Sequence, residues 1–215
     1  MRTLIFLGGN YNNSDFYKKN IKRDDFIIAA DGGSNFLFKI KKLPNMVVGD
    51  LDSISKNILR WISRNKIPVK KYRTDKDYTD FELALDFAVK SKPKEIIVFG
   101  CFGSRRDHEY STLMVISKYL KSGKNILLED ESKIMFFARP NLNNKIPVPK
   151  GKTISLIPFD NKIENVKTSG LLYPLKNESL YRNSSRAVSN MAVANNPTIY
   201  LKKGLLLIII NKKLV

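Results

Sequence analysis

Short apolar runs alternate with helix-like segments through the first half of the chain, and this alternation constrains the fold more than any other feature. Strands are predicted at 3–7, 26–30, 46–48, 69–72, 95–99 and 125–128. Helices are predicted between them at 34–41, 55–65, 80–91 and 108–121. Alternation of this length is typical of βαβ units that build a parallel sheet. We therefore predict an α/β fold.

Five of the apolar runs are followed directly by a glycine-rich or acidic segment. These segments lie at 8–10, 31–35, 49–53, 74–80 and 100–108. The loops at the carboxyl ends of parallel strands face one common crevice, where ligands bind. The five segments are therefore expected to meet at one site rich in carboxylates, glycines and arginine. That inventory suits a metal-bound polyphosphate and makes the chain a candidate enzyme.

The character of the sequence changes after about Lys133, where helical periodicity disappears. Short strand-like runs separated by turn residues take over at 134–138, 153–158, 163–168, 185–193, 198–201 and 205–210. We predict two domains. Residues 1–132 form an α/β domain with a doubly wound, mostly parallel sheet, and residues 133–215 form an all-β domain, either a sandwich or a flattened barrel.

Charge and cysteine content narrow the class of protein. The formal net charge of +18 invites a nucleic-acid interpretation, but the lysines are scattered along the chain, and no groove-reading helix or basic-aromatic motif accompanies them. We therefore expect no nucleic-acid partner. The single cysteine, Cys101, excludes an intramolecular disulfide and favours a cytoplasmic location. The apolar runs are too short for a signal peptide or a membrane span, so no membrane partner is expected.

The segment Gly49-Asp50-Leu51-Asp52 places two carboxylates at i and i+2 after a predicted strand. Side chains with this spacing can point into the same space, and Mg²⁺ is commonly held by one or two carboxylates together with substrate phosphates. The local sequence equally allows Asp52 or Ser53 to cap the following helix. Both interpretations stay open on these residues alone.

The segment before the clearest helix carries more acidic residues than a helix cap requires. Thr79 and Glu82 fit the spacing of a capping box. A cap does not explain why Asp75, Asp77 and Asp80 crowd the same loop, because like charges repel unless a cation or a donor joins them. The crowding favours a metal or substrate role for Asp80 and, less firmly, for Asp77.

The segment 100–108 is a glycine-containing loop that leads into a helix, an arrangement that favours anions. Arg105 and Arg106 could bind phosphate oxygens with paired donors. Asp107 stands where a helix cap is expected, and a lone histidine such as His108 is more often structural than catalytic. Cys101 lacks a metal-ligand partner, so packing is its expected role.

A further carboxylate, in Asp31-Gly32-Gly33, follows the second strand. Any tight turn from a strand to a helix could contain this sequence, so the motif is weak alone. In a doubly wound sheet, a carboxylate at this place could bind a ribose hydroxyl or assist a metal.

Taken together and in order, these segments resemble the thiamine pyrophosphokinase family. The resemblance rests on segments 30–35, 49–53, 79–85 and 103–108, and it continues with segments 154–158, 170–175, 189–190 and 204–206. Each motif is weak by itself, but the ordered set is specific and covers nearly the whole chain. It implies transfer of the diphosphoryl group of ATP, as co-substrate, to the hydroxyl of thiamine, which gives thiamine diphosphate and AMP.

The resemblance also implies the parts of the machinery. Mg²⁺ is the expected cofactor, the first domain is expected to bind nucleotide and metal, and the second to bind thiamine and form a homodimer with active sites at the subunit interface. The metal ligands implied are Asp50, Asp52 and Asp80, and the catalytic set adds Arg105 and Asp107. The binding residues implied are Asp31, Gly32, Gly33, Asn35, Thr79, Asp80, Arg105, Asp107, His108, Ser189 and Asn190.

Several positions depart from the family pattern. Ser104 replaces a usual glycine, Arg106 an apolar residue and Thr112 an asparagine, while Met191 stands where a polar residue is expected. These departures bear on the thiamine pocket more than on the metal site. Two other functions are alternatives. One is a diphosphokinase of the same fold that acts on another alcohol such as a pterin, and the other, less favoured, is a basic nucleic-acid-binding protein. The sequence identifies neither the general base nor an aromatic residue that stacks on thiamine.

Overall fold

The computed structural model describes residues 1–73, 75, 77–103, 105–120 and 125–212. The chain divides into two compact units, the first spanning Met1–Glu131 and the second beginning at Ser132. This boundary lies one residue before the predicted one. The functional roles expected for the two halves stay predictions. In the described part of the chain, no helix is long and apolar enough to cross a membrane.

The first unit is a parallel sheet with helices in every connection that the sequence predicts to carry one. Its strands are β1 (Arg2–Phe6), β2 (Phe26–Ala30), β3 (Met46–Gly49), β4 (Val69–Lys71), β5 (Glu95–Phe99) and β6 (Asn125–Glu129). Its helices are α1 (Ser14–Asn20), α2 (Gly33–Lys39), α3 (Lys56–Arg64), α4 (Asp80–Lys90) and α5 (Arg106–Tyr119). The predicted end of the last helix, at Lys121, lies outside the described residues.

The strand order of this unit is β6-β5-β1-β2-β3-β4, and every neighbouring pair is parallel. The chain therefore builds outwards from β1 in one direction through β4 and then crosses to the other side of β1 for β5. The doubly wound prediction is confirmed. The order reverses between β1 and β5, and ligands of doubly wound sheets bind at the carboxyl ends of the strands near such a reversal.

Apolar faces hold this sheet and its helices together. The strands bury Leu4, Phe6, Ala29 and Val47, which pack in one cluster with apolar residues of α2 and α3. In the sequence, Phe81, Ala84, Leu85 and Ala88 fall at i, i+3, i+4 and i+7, which predicts one apolar helix face, and α4 buries these four residues. Its amino terminus has the predicted cap, because Thr79 Oγ1 accepts a hydrogen bond from the backbone N–H of Glu82 at 3.2 Å.

The second unit consists of two antiparallel sheets around a shared apolar core. Its strands are β7 (Lys133–Ala138), β8 (Asn144–Lys145), β9 (Thr153–Pro158), β10 (Lys162–Ser169), β11 (Lys176–Tyr181), β12 (Asn190–Met191), β13 (Thr198–Tyr200) and β14 (Leu206–Asn211). One sheet has the order β12-β9-β14-β7 and the other β11-β10-β13-β8. Buried residues of both sheets, such as Leu156, Ile208, Ile163 and Ile199, pack in one cluster. The predicted sandwich is confirmed.

One predicted strand of this unit is wrong. The alternating residues 185–193 suggest a strand, but the chain there turns repeatedly, and only β12 pairs with another strand. Ala187 and Ser189 take left-handed backbone angles, with φ of 70° and 56°, which a continuous strand does not allow. Strands β8 and β11 and helix α1 were not predicted.

Candidate active site

All five segments that the sequence singled out line one cleft of the first unit. Its volume is about 440 Å³, and its walls come from the loops after β1, β2, β3 and β5 and from the first turns of α4 and α5. Of the predicted binding and catalytic residues, those that line it are Asp31, Gly32, Asn35, Asp50, Asp52, Thr79, Asp80, Arg105 and His108. Parallel strands bring these distant segments together because their carboxyl ends lie at one edge of the sheet.

Gly33 and Asp107 are not among the lining residues. Gly33 is buried at the first position of α2, where a Cβ would come within 1.9 Å of the Phe6 carbonyl oxygen. Its place is therefore explained by close packing of the helix on β1 rather than by contact with a ligand. Asp107 is exposed on the first turn of α5 and reaches the cleft through Arg105.

Three carboxylates form an acidic cluster at one end of the cleft. Asp31, Asp50 and Asp52 each offer a carboxylate oxygen, and these oxygens lie within 4.8 Å of one another. The family resemblance implies Asp50, Asp52 and Asp80 as the metal ligands, and for Asp31 the sequence allows either a metal or a ribose hydroxyl. Asp80 is close by, because a Cβ on Gly49 would lie 3.0 Å from both Asp80 Oδ1 and Asp31 Cβ.

Asp31 is the buried member of the cluster, at 7% exposure, and its Oδ1 has no hydrogen-bond partner in the described part of the chain. Burial raises the pKa of Asp31, a hydrogen bond from Ser53 opposes the rise, and the negative charges of Asp80, Asp50 and Asp52 add to it. Asp31 Oδ1 thus lies beside two further carboxylates without a hydrogen-bond donor in the described part of the chain. Such a donor set suits a hard divalent cation.

Arg105 and His108 lie on the cleft at the beginning of α5. The Arg105 guanidinium forms an ion pair with Asp107, with Nη2 and Oδ2 2.5 Å apart, and this hydrogen bond lowers the pKa of Asp107. Both side chains are well exposed, so the pair leaves the guanidinium accessible to a ligand. The amino terminus of a helix also favours an anion.

One expectation at this helix is corrected. Helix α5 begins at Arg106 with Arg105 as its N-cap residue, so Asp107 is not the cap. Glu109 contacts the preceding loop, because its carboxylate accepts a hydrogen bond from the Gly103 backbone N–H at 2.7 Å. The same carboxylate pairs with Arg106 at 2.9 Å, so this arginine is engaged along the helix. Ser104 lies outside the described residues.

In the second unit, the predicted binding residues Ser189 and Asn190 differ in their exposure. Asn190 is 2% exposed, and its amide group accepts from the Tyr173 backbone N–H at 3.1 Å and donates to the Tyr173 carbonyl at 2.8 Å. Ser189 is exposed. The amide therefore fixes the loop that carries Tyr173, whose side chain is 66% exposed.

Exposed apolar residues occur on the two segments that the Asn190 amide joins. Leu172, Val188 and Met191 are each at least 40% exposed, and the Leu172 N–H donates to the Met191 carbonyl at 2.8 Å. Where such residues form one contiguous patch, the patch is typical of a surface that binds a ligand or another protein. Sequence reasoning missed Tyr173, although it is the only aromatic residue within the family-like segment 170–175.

Comparison with known proteins agrees with the division into two units. Residues 17–128 match the family model described as the catalytic domain of thiamin pyrophosphokinase. Residues 141–206 match the model described as the vitamin B1 binding domain of the same enzyme. The first match lies within the first unit, and the second match lies within the second unit.

Individual relatives give the same result. The chain is 30% identical over 182 residues to thiamine pyrophosphokinase of Bacillus subtilis, with 85% of each chain covered. The crystal structure of the Bacillus subtilis enzyme superimposes with a TM-score of 0.90 at 28% identity and covers 100% of both chains. The thiamin pyrophosphokinase of Geobacillus thermodenitrificans superimposes with a TM-score of 0.87 at 25% identity, covering 99% of this chain and 98% of that one.

Proposed function

We propose, since this chain belongs to the thiamine pyrophosphokinase family, that it transfers the diphosphoryl group of ATP to the hydroxyl of thiamine. The observation that carries the proposal is the cleft of the first unit, where a carboxylate cluster and the exposed Arg105 occupy the same cavity as two glycine loops. This arrangement suits a polyphosphate. The products are thiamine diphosphate and AMP.

The acidic cluster fits Mg²⁺, because the buried Oδ1 of Asp31 lacks a partner and three carboxylates converge there. Asp31, Asp50 and Asp52 would hold the ion, and Asp80 lies near enough to join them or to bind its water. When bound, Mg²⁺ would neutralise part of the charge on the phosphate oxygens. The proposed ligand set thus adds Asp31 to the residues that the sequence implied.

The other groups of the cleft would bind and orient the nucleotide. The backbone N–H groups of the glycine loops and the beginning of α5 favour phosphate oxygens. Arg105 can stabilise the charge that grows on these oxygens as the thiamine oxygen bonds to the β-phosphorus and the bond to the AMP oxygen breaks. The hydroxyl proton of thiamine would pass to a carboxylate of the cleft or to water. Such a reaction is accelerated mainly by positioning and electrostatic stabilisation.

The surface around Tyr173 would bind the thiamine. Tyr173 is an exposed aromatic residue, and Ser189, which precedes Asn190 in the chain, is exposed as well. Thiamine needs an apolar wall and a few polar partners, which these residues can supply. In this proposal Asn190 acts by positioning Tyr173, and Ser189 contacts the ligand.

We further propose a homodimer with active sites at the subunit interface. The exposed apolar residues around Tyr173 support it, because large apolar clusters are uncommon on monomers. A cytoplasmic location remains a prediction that rests on the single cysteine.

The test is an assay of AMP release with ATP, Mg²⁺ and a panel of alcohols that includes thiamine and a pterin alcohol. We expect AMP release that depends on thiamine, and we expect Asp80→Asn to lower the rate by about 100-fold or more, as loss of an electrostatic group in an active site commonly does. The matched control is Asp86→Asn, since Asp86 lies on the same helix but pairs with Lys90 at 2.6 Å outside the cleft. Release with the pterin alone would reject thiamine as the acceptor.

A further inference from the structure

Tyr11 lies beside the candidate active site without lining it, and it contacts the two loops that form one wall. These loops follow β1 and β5 and run side by side beyond the ends of the strands. The Leu7 N–H donates to the Phe99 carbonyl at 2.9 Å, and the Gly9 N–H donates to the Gly100 carbonyl at 3.0 Å. Both loops line the cleft, so their spacing sets the shape of that wall.

The hydroxyl of Tyr11 sits at the junction of these loops. It donates a hydrogen bond to the Leu7 carbonyl at 2.6 Å and lies 3.4 Å from the Phe99 carbonyl. Gly100 passes directly over it, because a Cβ on Gly100 would lie 2.1 Å from the hydroxyl oxygen. One hydroxyl thus contacts the last carbonyl of β5 and the first loop carbonyl after β1.

The ring of Tyr11 is itself held in place. It stacks on Phe36 of α2 with ring centres 3.7 Å apart and planes at 4°, and Tyr17 packs edge-on at 4.9 Å. Burial raises the pKa of Tyr11 well above its usual range, so the hydroxyl stays protonated and able to donate. The phenol therefore joins both loops to a fixed point on α2.

We propose that Tyr11 is a positioning residue for the nucleotide, whose hydroxyl keeps the glycine loops after β1 and β5 at the spacing that the phosphates require. The proposal rests on the proposed function, because it takes the cleft as the ATP site. Backbone N–H groups bind phosphate well only when the loops that carry them are already in position. Loss of the hydroxyl leaves the ring stacked and the backbone hydrogen bonds between the loops in place, but it removes the contact that ties both loops to α2.

The test compares Tyr11→Phe with Tyr17→Phe. Both substitutions remove one hydroxyl from the same aromatic cluster, but the Tyr17 hydroxyl donates to the Glu131 carboxylate and not to the glycine loops. We expect Tyr11→Phe to weaken the binding of Mg²⁺-ATP, measured by titration calorimetry, by about fivefold or more, since one hydrogen bond contributes on this order. The KM for ATP should rise with it, and the KM for thiamine should not change. Tyr17→Phe should lower the midpoint of thermal unfolding but leave ATP affinity unchanged.

Unchanged ATP affinity in Tyr11→Phe overturns the proposal, as does an equal loss of affinity in Tyr17→Phe. Failure of Tyr11→Phe to fold also overturns it, because the hydroxyl would then serve the fold as a whole. The affinity measurement needs no acceptor. A wild-type protein that binds ATP but releases no AMP with thiamine would therefore reject the proposed function, and Tyr11→Phe would still decide the inference. Absence of ATP binding in the wild type would overturn both.

Discussion

Asp31 combines two properties that are costly in a folded protein unless the site has a use for them. Its side chain is buried with one oxygen lacking a partner, and its backbone takes the left-handed conformation with φ of 40°. Aspartate and asparagine tolerate this conformation better than most residues. A carboxylate oxygen without a donor, next to Asp50 and Asp52, is explained when a cation completes the site.

Asp31→Asn is therefore expected to stabilise the metal-free protein while it weakens binding of the metal. Asparagine tolerates the backbone angle, removes one negative charge and can donate to the remaining carboxylates. An unsatisfied buried group costs about 1–3 kcal/mol, and each kcal/mol moves the unfolding midpoint of a chain of this size by roughly 2–4 °C. Thermal unfolding should show a higher midpoint than the wild type in EDTA and a smaller upward shift when Mg²⁺ and ATP are added.

The difference in stability between Asp31→Asn and the wild type should depend on pH, in a direction that follows from the pKa shift of Asp31. The folded-state pKa of Asp31 is raised, so its ionised form is penalised in the folded protein, and the penalty disappears as the pH falls through that pKa. The gain in stability of Asp31→Asn over the wild type should therefore shrink on acidification. Asp86→Asn serves as the control for loss of one carboxylate outside the cleft. A full Mg²⁺ shift in Asp31→Asn would exclude Asp31 as a ligand.

At the scale of secondary structure, the sequence predicts best those elements whose apolar residues follow one period. Strands β2, β5 and β9 have the predicted bounds, and α4 buries its predicted face. Helix α1 was missed because it buries only Tyr17 and so carries no repeated apolar face. Strand β11 was missed because it lies at the edge of its sheet and pairs through its backbone, with only Leu180 of its side chains buried.

Some residues of the candidate site could likewise be predicted from the sequence, and others could not. Asp50, Asp52, Asp80 and Arg105 could be placed in one cleft because each follows a parallel strand or begins a helix. For Asp31 the sequence allows either a metal or a ribose hydroxyl. Its burial beside Asp50 and Asp52, the link from Asn190 to Tyr173 and the Tyr11 junction could not be predicted, because they depend on distances between segments far apart in the chain. The prediction that Asp107 caps α5 was wrong because the helix begins at Arg106, two residues before its predicted start at His108.

Packing of α2 on β1 gives a prediction at this scale. Gly33→Ala would place a Cβ 1.9 Å from the Phe6 carbonyl oxygen, a backbone atom that cannot rotate away. We expect the free energy of unfolding to fall by about 3 kcal/mol or more, at the upper end of the cost of overpacking. The matched control is Gly8→Ala in the neighbouring loop, where the nearest atom would lie at an ordinary 3.4 Å. Urea titration measures both variants, and equal small losses would contradict the packing argument.

The charge of the whole molecule is opposite to that of its acidic cluster. The chain has 38 basic and 20 acidic residues, yet three carboxylates converge within the cleft. A positive surface raises the rate at which an anion such as ATP meets the protein. The same surface attracts any polyanion, so net charge alone does not indicate a nucleic-acid function. The membership of both units in one enzyme family accounts for the chain without it.

The proposed dimer predicts that an active site takes the acidic cleft from one subunit and the Tyr173 surface from the other. Tyr173→Ala should raise the KM for thiamine at least about tenfold through loss of the aromatic wall, with the KM for ATP unchanged. Tyr181→Ala is the matched control, because Tyr181 is 49% exposed in the same unit but lies on β11, away from the Asn190 contacts.

Mixed dimers then decide how the sites are shared. One subunit carries Asp80→Asn and the other Tyr173→Ala, and two different affinity tags isolate the mixed species. If sites are built across subunits, one site of each mixed dimer combines the intact cleft with the intact thiamine surface, and its partner site carries both substitutions. Two-fold symmetry then predicts about half of the wild-type rate at low thiamine. If each chain builds its own site, neither site is intact, and the mixed dimer is no more active than its parents. That result, or failure to isolate a mixed dimer, would reject the shared site.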